Sequence, residues 1–556
     1  MDRELFFKNI FESSLTIDEK RKYYTDEAEV DERYLKEWKN KKNLVTEELF
    51  KTMLEKDSMN EREFNFCISP LKVENSFEFP QWLKLLDEIL KSCDYKKIKD
   101  TENKDITFVI FPFIQYVAER ISEFDWDNSL MEFTQSAIKD ILDNYAQQTI
   151  TIVEKCVVVE LEEYKSTHKF VSEDLKLQFN EFIEYITEKE NLLKFYEKYT
   201  VNTKIMTVRT MYFIKNIEDF VSDLKGSEQD MKDTLGLELS AIQHIKLSAG
   251  DSHEKGKGVM IVEFDKCKVV YKPKNLDICK AYEDFIKWIN ENSGMLDLTT
   301  PRGIYKESYA IIEFVKYKSC TSEDEVKRYY ERFGYTLALG YTLAMTDIHL
   351  ENVVADGEYP VIVDGETMIQ NTIKVSKNNT IFDKFRNKFS METVLATAML
   401  PNTAMLDKNI DLSALAGKEQ TSNRKFLMPV NLGKSNFHYE EQEYTMSGSN
   451  NIPMLNNKLI DYKDYIYCVI NGFNKMIDFI YKNKEFLLSE KSPLMGFKDR
   501  KIRVLLKSTQ IYGDMLGFLT HPTCCIEMSA RERTLQNIWA YPHLDKDIIK
   551  SEYKDM

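Results

Sequence analysis

The chain has 556 residues, of which 43% are hydrophobic and 30% are charged, and its formal net charge is -16. This length exceeds what one hydrophobic core usually supports, so we expect two or three structural units. The negative charge argues against a nucleic-acid-binding protein and against adhesion to anionic lipid, because both need a basic surface. Solubility alone is the simplest explanation of an acidic surface.

The sequence shows neither a secretory signal nor a membrane span. Met1 to Phe7 contains no long apolar segment, and the most apolar run, Ile106 to Ala118, is too short to cross a bilayer. The nine cysteines are scattered and form no C-x-x-C pair, which is typical of reduced thiols. The adjacent Cys524 and Cys525 are better explained as small buried side chains than as a metal or redox pair. We therefore predict a cytoplasmic protein without an integral membrane segment.

Residues 1 to 230 are predicted to be mostly helical. Segments rich in Glu, Lys and Leu carry apolar residues at helical spacing, as at Leu175, Phe179 and Phe182. No cluster of His, Cys and carboxylate residues stands out in this part of the sequence. The region is either a scaffold or a surface that recognises a partner or substrate, and the sequence leaves both possibilities open.

Residues 231 to 320 change to a pattern of strands. Ile242 to Ala249 and Val259 to Phe264 are predicted strands on either side of a polar, glycine-bearing loop, and Val269 to Lys272 is a third. A kinase small lobe has this order: the glycine loop covers the phosphates of ATP, and a lysine at the end of the third strand contacts them. Without further motifs, a lysine at a strand end is usually just solvated.

The helical segment Ala281 to Asn292 carries two adjacent carboxylates, Glu283 and Asp284. In a kinase, a carboxylate on the helix after the third strand pairs with the strand lysine. Either residue is therefore a candidate partner for Lys272. The alternative is an ordinary surface carboxylate, which is common on exposed helices.

The most informative stretch of residues 321 to 556 is Thr346 to Thr367. Asp347 is followed five residues later by Asn352 and, after a short predicted hairpin, by Asp364. A kinase catalytic loop and its metal-binding strand have this spacing. There, the first Asp orients or deprotonates a hydroxyl, and the Asn and second Asp hold Mg²⁺ on the phosphates of ATP. The D-x-x-x-x-N pattern is weak alone, and the lysine upstream makes it more specific.

The predicted elements after Asp364 are less regular. Met391 to Leu400 is predicted to be helical, and Leu459 to Leu488 is predicted to be a helix with one buried face. Residues 402 to 460 are polar, with an exposed loop predicted at Met446 to Asn451. The segment Arg500 to Tyr512 mixes basic and apolar residues, a pattern that usually indicates a solvated face.

Several motifs occur in a fixed order over residues 230 to 550, and the set is far more specific than any one motif. They are Gly250-Asp251-Ser252-His253, Tyr271-Lys272-Pro273, Tyr335 through Asn352, Asp364-Gly365-Glu366-Thr367, Leu400-Pro401, Leu412-Ser413-Ala414-Leu415, Arg503 with Thr509, and His521-Pro522. Together they resemble the dehydratase domain of class II lanthipeptide synthetases, the LanM family.

The resemblance implies an α+β fold with two lobes, similar to protein kinases and closest to lipid kinases, and a large helical N-terminal region. The implied units are a helical region at 1–230, a small lobe at 231–320, and a large lobe at 321–556 that includes an element for phosphate elimination. The implied reaction uses ATP and Mg²⁺ on a ribosomal precursor peptide with a leader and a core. Ser or Thr in the core is phosphorylated, and phosphate is then eliminated to give dehydroalanine or dehydrobutyrine.

The resemblance also assigns roles to ten residues. For phosphoryl transfer, Asp347 would act on the hydroxyl, Asn352 and Asp364 would bind Mg²⁺, and Lys272 would bind phosphate. Asp251 and His253 would lie in the loop that covers the phosphates. His349 would either support the site or form a structural hydrogen bond. For elimination, in which a cation on the departing phosphate lowers the barrier, the assigned residues are Arg503, Thr509 and Lys507. At Lys507 the family commonly has Arg, and Lys keeps the charge without the bidentate fork.

Full synthetases of this family continue into a cyclase domain, whereas this sequence stops at Met556. We therefore expect either a dehydratase that works with a separate cyclase, or a shortened synthetase whose last element is incomplete. Two other functions are considered: a kinase that stops at the phosphorylated peptide or small molecule, and an inactive module that only binds a leader peptide. The presence of Lys272, Asp347, Asn352 and Asp364 together argues against the inactive module.

Overall fold

The computed structural model describes residues 2–40, 45–73, 78–101, 104–124, 132–248, 254–370, 381, 392–402, 410–503 and 509–540. In these ranges the protein combines many helices with small antiparallel sheets, and its N-terminal part is helical. The predicted α+β composition and the helical N-terminal region are therefore confirmed. The kinase-like arrangement of two lobes and the unit boundaries near residues 230 and 320 remain predictions.

Several helices of the N-terminal part begin where a side chain caps the free backbone N–H groups of the first turn. Asp2 accepts from the backbone N–H of Glu4, for example, and Thr134 accepts from that of Ala137. The thirteen described helices are α1 (Arg3–Ser14), α2 (Ile17–Arg21), α3 (Glu32–Asn40), α4 (Glu47–Lys56), α5 (Glu61–Ile68), α6 (Gln81–Ser92), α7 (Tyr95–Asp100), α8 (Phe111–Ser122), α9 (Gln135–Thr167), α10 (Leu175–Ile186), α11 (Lys189–Lys198), α12 (Thr200–Gly226) and α13 (Glu228–Leu235). A 3-10 turn, Ile106–Ile110, precedes α8.

Five strands form one antiparallel sheet in the order β1-β2-β3-β5-β4. They are β1 (Ile242–Lys246), β2 (Met260–Phe264), β3 (Lys268–Lys272), β4 (Gly303–Tyr305) and β5 (Ala310–Glu313). Successive side chains of a strand point to opposite faces of the sheet. On one face, the Tyr271 hydroxyl donates to Asp223 Oδ2 of α12 at 2.8 Å. Lys272 therefore projects from the other face, away from the helical region.

Four further helices and two small antiparallel pairs lie in or after this sheet region of the chain. The helices are α14 (Asp277–Ser293), α15 (Glu323–Thr342), α16 (Ile466–Lys482) and α17 (Lys484–Leu487), and the paired strands are β6 (Val353–Asp356) with β7 (Tyr359–Ile362) and β10 (Met454–Leu455) with β11 (Lys458–Leu459). Glycines let α15 and α16 touch through their backbones. A Cβ at Gly472 would lie 2.0 Å from the Glu331 carbonyl oxygen, and one at Gly334 would lie 2.1 Å from the Val469 carbonyl oxygen.

The structure differs from the prediction in the segment after Asp364. Of the predicted helix at 391–400, the described residues form only a 3-10 turn, Val394–Thr397. The polar stretch 402–460, for which no strand was predicted, contains a long hairpin, β8 (Gln420–Val430) with β9 (His438–Met446). Most of its side chains are exposed, so the alternation of buried and polar residues that reveals a strand is absent from the sequence.

The last described helices pack against the first ones. They are α18 (Thr509–Leu519), α19 (Thr523–Ile526) and α20 (Met528–Leu535), followed by a 3-10 turn, Gln536–Ala540. The Trp38 indole donates to Gln536 Oε1 at 2.7 Å, which joins the two ends of the described chain. Cys524 and Cys525 are buried, as predicted, and all nine cysteines are free thiols. None of the described helices combines the length and apolar character needed to cross a bilayer.

Candidate functional site

The loop between α15 and β6 holds Asp347 in an unusual backbone conformation. Its φ is +62°, in the left-handed region that non-glycine residues seldom adopt and that often marks functional loops. The Asn352 Nδ2 donates to the Asp347 carbonyl at 2.7 Å, and the Thr346 N–H donates to the Thr367 carbonyl at 2.9 Å. The predicted motif is thus closed by hydrogen bonds on both sides of Asp347.

His349 lies beside Asp347 without a direct hydrogen bond to it. Its Nε2 is 3.9 Å from Asp347 Oδ1, which is too long for a hydrogen bond but close enough for attraction when the imidazole is protonated. Its Nδ1 accepts from the Glu351 N–H at 3.3 Å. Burial raises the pKa of Asp347, and the nearby His349 and Arg503 oppose that rise. The geometry is compatible with both predicted roles of His349.

Asp364 forms a buried ion pair with the strand lysine. The Lys272 Nζ donates to Asp364 Oδ1 at 2.9 Å and to the Val363 carbonyl at 3.0 Å. Burial by itself would raise the pKa of Asp364, but Lys272 and Lys274 outweigh that effect and lower it to about 2. For Lys272, burial by itself would lower the pKa, but the nearby Asp364 carboxylate outweighs burial, so the pKa of Lys272 is raised. Both groups are charged at neutral pH.

Of the two possibilities left open for Glu283 and Asp284, the kinase-type pairing with Lys272 is wrong. Asp284 Oδ1 and Glu283 Oε1 lie 2.8 and 3.5 Å from Nζ of Lys280, on their own helix α14. A lysine three or four residues away on the same helix face is a nearer partner than a side chain on another element. Lys272 uses Asp364 instead.

A second ion-pair cluster adjoins the first, and sequence reasoning did not single out two of its members, Lys274 and Glu366. Glu366 is buried; its Oε2 lies 2.5 Å from Lys274 Nζ and its Oε1 accepts from Arg503 Nη1 at 2.7 Å. Lys272 and Lys274 therefore face Asp364 and Glu366, and the members of each pair are separated by one residue in the sequence. The matched spacing of Lys-Pro-Lys and Asp-Gly-Glu is a signal in the sequence that could have indicated the pair, and Glu366 also lies in the motif Asp364-Gly365-Glu366-Thr367. Arg503, which contacts Glu366, is also close enough to Asp347 and Asp364 for its charge to favour a lower pKa of both carboxylates.

The structure also brings two other segments to the loop that carries Asp347, one of which is the motif Leu412-Ser413-Ala414-Leu415. The Ile348 N–H donates to the Thr397 carbonyl at 2.9 Å, and the Leu350 N–H donates to the Leu412 carbonyl at 3.0 Å. His349 forms an isolated bridge with Ser413. Segments far apart in sequence therefore support the loop that carries Asp347.

Four predicted site residues cannot be placed in this cluster by their side chains. Asp251, His253 and Lys507 lie outside the described residues. Thr509 is the first residue of α18, and its side chain lies outside the described part.

The donor set around Asn352 and Asp364 fits a hard cation such as Mg²⁺. Carboxylate and amide oxygens are ligands that Mg²⁺ accepts, and this ion is often held by one or two protein groups together with substrate phosphates. The Asn352 amide uses its nitrogen on the Asp347 carbonyl, which leaves its oxygen for other contacts. Among the residues that the structure describes, no three or more His, Cys, Asp or Glu side chains converge to form an all-protein metal site. Asn352 and Asp364 would suit an ion that also binds substrate phosphates.

Comparison with known proteins identifies the family. A family model described as a domain of unknown function, DUF4135, matches residues 199–556, which is more than half of the chain. The chain belongs to this family. It is also 29% identical, over 337 residues, to a protein of Lactococcus lactis subsp. lactis named "Lacticin 481/lactococcin biosynthesis protein LcnDR2".

The match to the L. lactis protein covers 57% of this chain and 35% of that relative, so the chain spans well under two thirds of it. Together with the DUF4135 match, it confirms the resemblance to the dehydratase region of LanM proteins that the sequence motifs predicted. The matched residues include every predicted site residue, since all of them lie between 251 and 509.

Proposed function

We propose that this protein dehydrates Ser and Thr residues of a lanthipeptide precursor in two steps, phosphorylation by ATP and elimination of the phosphate. The observation that carries the proposal is that residues suited to phosphoryl transfer lie close to a cation from a distant segment. A phosphoryl-transfer set, Lys272 with Asp364 and Asp347 with Asn352, lies within electrostatic reach of Arg503 from a distant segment. A kinase that only transfers phosphate needs the first set, and the cation from the distant segment favours the two-step reaction.

In the first step, the Ser or Thr oxygen attacks the γ-phosphorus of ATP and the bond to the β-phosphate oxygen breaks, releasing ADP. Asp347 orients the hydroxyl and accepts its proton. The left-handed backbone of Asp347 and the hydrogen bond from Asn352 to its carbonyl hold this residue in place in the loop. Bound Mg²⁺ would neutralise charge on the ATP phosphates, held by Asn352 and Asp364. Lys272, which is paired with Asp364, would hold phosphate.

In the second step, a base removes the proton from the α-carbon of the phosphorylated residue. The electron pair forms the double bond between the α- and β-carbons, and the bond from the β-carbon to the phosphate oxygen breaks. The departing phosphate carries the negative charge, which the Arg503 guanidinium stabilises. The product residue is dehydroalanine or dehydrobutyrine.

The proposal is tested by incubating the protein with ATP, Mg²⁺ and a precursor peptide that contains a leader and Ser and Thr residues in its core. The mass of the product peptide is then measured by mass spectrometry. We expect loss of one water per modified residue. A stable gain of phosphate would instead indicate a kinase that stops after the first step. Unchanged peptide and unchanged ATP, with binding of the leader, would indicate an inactive binding module.

Two variants separate the steps. Asp347→Ala should leave the peptide unmodified, and Arg503→Ala should accumulate phosphopeptide. Arg500→Ala is the matched control, because this arginine lies three residues away on the same segment but contacts Asp277 and the Gly496 carbonyl at the surface. If Arg503→Ala gave only unmodified peptide, the assignment of Arg503 to elimination would be wrong.

A further inference from the structure

Glu366 occupies a distinctive position between two cations. Its side chain is buried, and each carboxylate oxygen takes a different partner, Arg503 at 2.7 Å and Lys274 at 2.5 Å. The backbone adds a second connection, since the Arg503 N–H donates to the Glu366 carbonyl at 3.3 Å. Gln370, four residues further on, donates to the Arg503 carbonyl at 2.5 Å. Residues 366–370 thus hold both the side chain and the backbone of Arg503.

The position of Arg503 depends on these contacts. A guanidinium and an ammonium repel each other, and an arginine side chain loses considerable conformational freedom when it is fixed. A carboxylate between Arg503 and Lys274 offsets the repulsion and fixes both groups. Glu366 can do so because it lies two residues after Asp364, whose own carboxylate holds Lys272. The ion pairs 272–364 and 274–366 run side by side and place Arg503 next to the phosphoryl-transfer residues.

We infer that Glu366 is a positioning residue for phosphate elimination: it holds the Arg503 guanidinium where the departing phosphate develops its charge. This inference rests on the proposed function. Glu366 itself does not touch the substrate in this scheme, because both of its oxygens are occupied by cations. Stabilisation of a developing anion depends on donors that are fixed in place before the reaction. A loosely held Arg503 would still attract phosphate but would stabilise its departure less well.

The test uses the full chain and a synthetic phosphopeptide with its leader, so that elimination is measured apart from phosphorylation. In Glu366→Gln, kcat for elimination should fall at least about tenfold, as expected for a lost or misplaced anion-stabilising donor. KM for the phosphopeptide should stay within about threefold, because removing a carboxylate leaves the site more positive towards phosphate. Phosphorylation of the unmodified peptide should change less than about threefold.

Glu358 offers a matched control. It is also a carboxylate that holds two cations: it accepts from Arg332 Nη1 at 2.8 Å and pairs with Arg328, away from the site residues. Glu358→Gln should leave the ratio of the two step rates unchanged. Glu366→Asp provides a second variant at the site. It keeps the charge with a side chain one methylene shorter, and should recover part of the elimination rate lost in Glu366→Gln.

Three outcomes would overturn the inference. The first is normal elimination by Glu366→Gln. The second is an equal fall of both steps with a rise in KM, which would indicate a general structural role. The third is no recovery in Glu366→Asp when this variant is as stable as the wild type. If the wild-type protein failed to phosphorylate and failed to eliminate, the proposed function would fail instead, so the two failures are distinguishable.

Discussion

The candidate site and the junction between α20 and the N-terminal helices both bury ionisable side chains. At the site, the carboxylates of Asp364 and Glu366 each contact a lysine, and the pKa of Asp364 is lowered to about 2. At the junction, Glu532 accepts from the Ile17 N–H at 2.9 Å beside a cavity of about 310 Å³, and burial raises its pKa to about 8. Burial also lowers the pKa of Lys20 there.

The difference shows what distinguishes a chemical site from a buried polar contact. Burial alone drives an ionisable group towards its neutral form. At the site, Lys272 and Lys274 reverse this for Asp364, and Asp364 in turn raises the pKa of Lys272, so both members of this buried pair keep their charge at neutral pH. A strongly shifted pKa, such as that of Glu532, does not by itself mark function. The convergence of opposite charges from residues 272–274, 364–366 and 503 is the more informative feature.

The largest expected effect is at the site. Asp364→Asn removes the charge that balances Lys272 and one of the two groups assigned to Mg²⁺. Phosphoryl transfer from ATP should fall by at least about a thousandfold, because the reaction depends on charge stabilisation. The measurement is phosphopeptide formation by mass spectrometry under single-turnover conditions. Retention of more than a tenth of the wild-type rate would remove Asp364 from the proposed mechanism.

A change in packing alone should affect stability without altering the chemistry. Gly472→Ala puts a Cβ against the Glu331 carbonyl, where α15 and α16 touch, and should lower the free energy of unfolding by about 3 kcal/mol. Urea denaturation measures this loss. The rate per folded molecule should stay close to that of the wild type. A large fall in that rate would mean that helix packing, and not only the ionic cluster, sets the activity.

The junction should respond to pH in a way that the site does not. Because the pKa of Glu532 is raised from 4.5 to about 8 on folding, the folded state binds a proton that the unfolded state releases between these values. The contribution of Glu532 to the free energy of unfolding is therefore fully present below about pH 4 and is lost as the pH rises to about 8. The free energy of unfolding should fall by at most about 1.4 kcal/mol per pH unit over this range. Urea unfolding at several pH values should show a shallower decline in Glu532→Gln. An unchanged slope would contradict the raised pKa.

The smallest effect is expected on the surface of α14. Asp284 is largely exposed and pairs with Lys280, so Asp284→Asn should change stability by less than about 0.5 kcal/mol and phosphorylation by less than about twofold. Parallel assays with the wild type measure both quantities. A strong loss of phosphorylation would instead support the hypothesis that this helix pairs with Lys272, as in a kinase.

The sequence by itself determined the local elements of the site. Hydrophobic spacing indicated the N-terminal helices and the first three strands, and the interval from Asp347 to Asn352 indicated a loop that the structure closes with one hydrogen bond. These features depend on residues close in the chain, whose periodicity and spacing are visible directly. The exposed hairpin β8–β9 was missed because neither of its faces is consistently buried.

Only the tertiary structure decided which charges meet. Glu283 was a reasonable partner for Lys272 by sequence order, yet it pairs with Lys280 on its own helix, while Asp364 takes its place. Glu366 and Arg503 are 137 residues apart and carry no local pattern that links them. Ion pairs between distant segments depend on how the sheet, the loop and the C-terminal segment pack together. That packing places Arg503 beside the residues proposed to transfer phosphate.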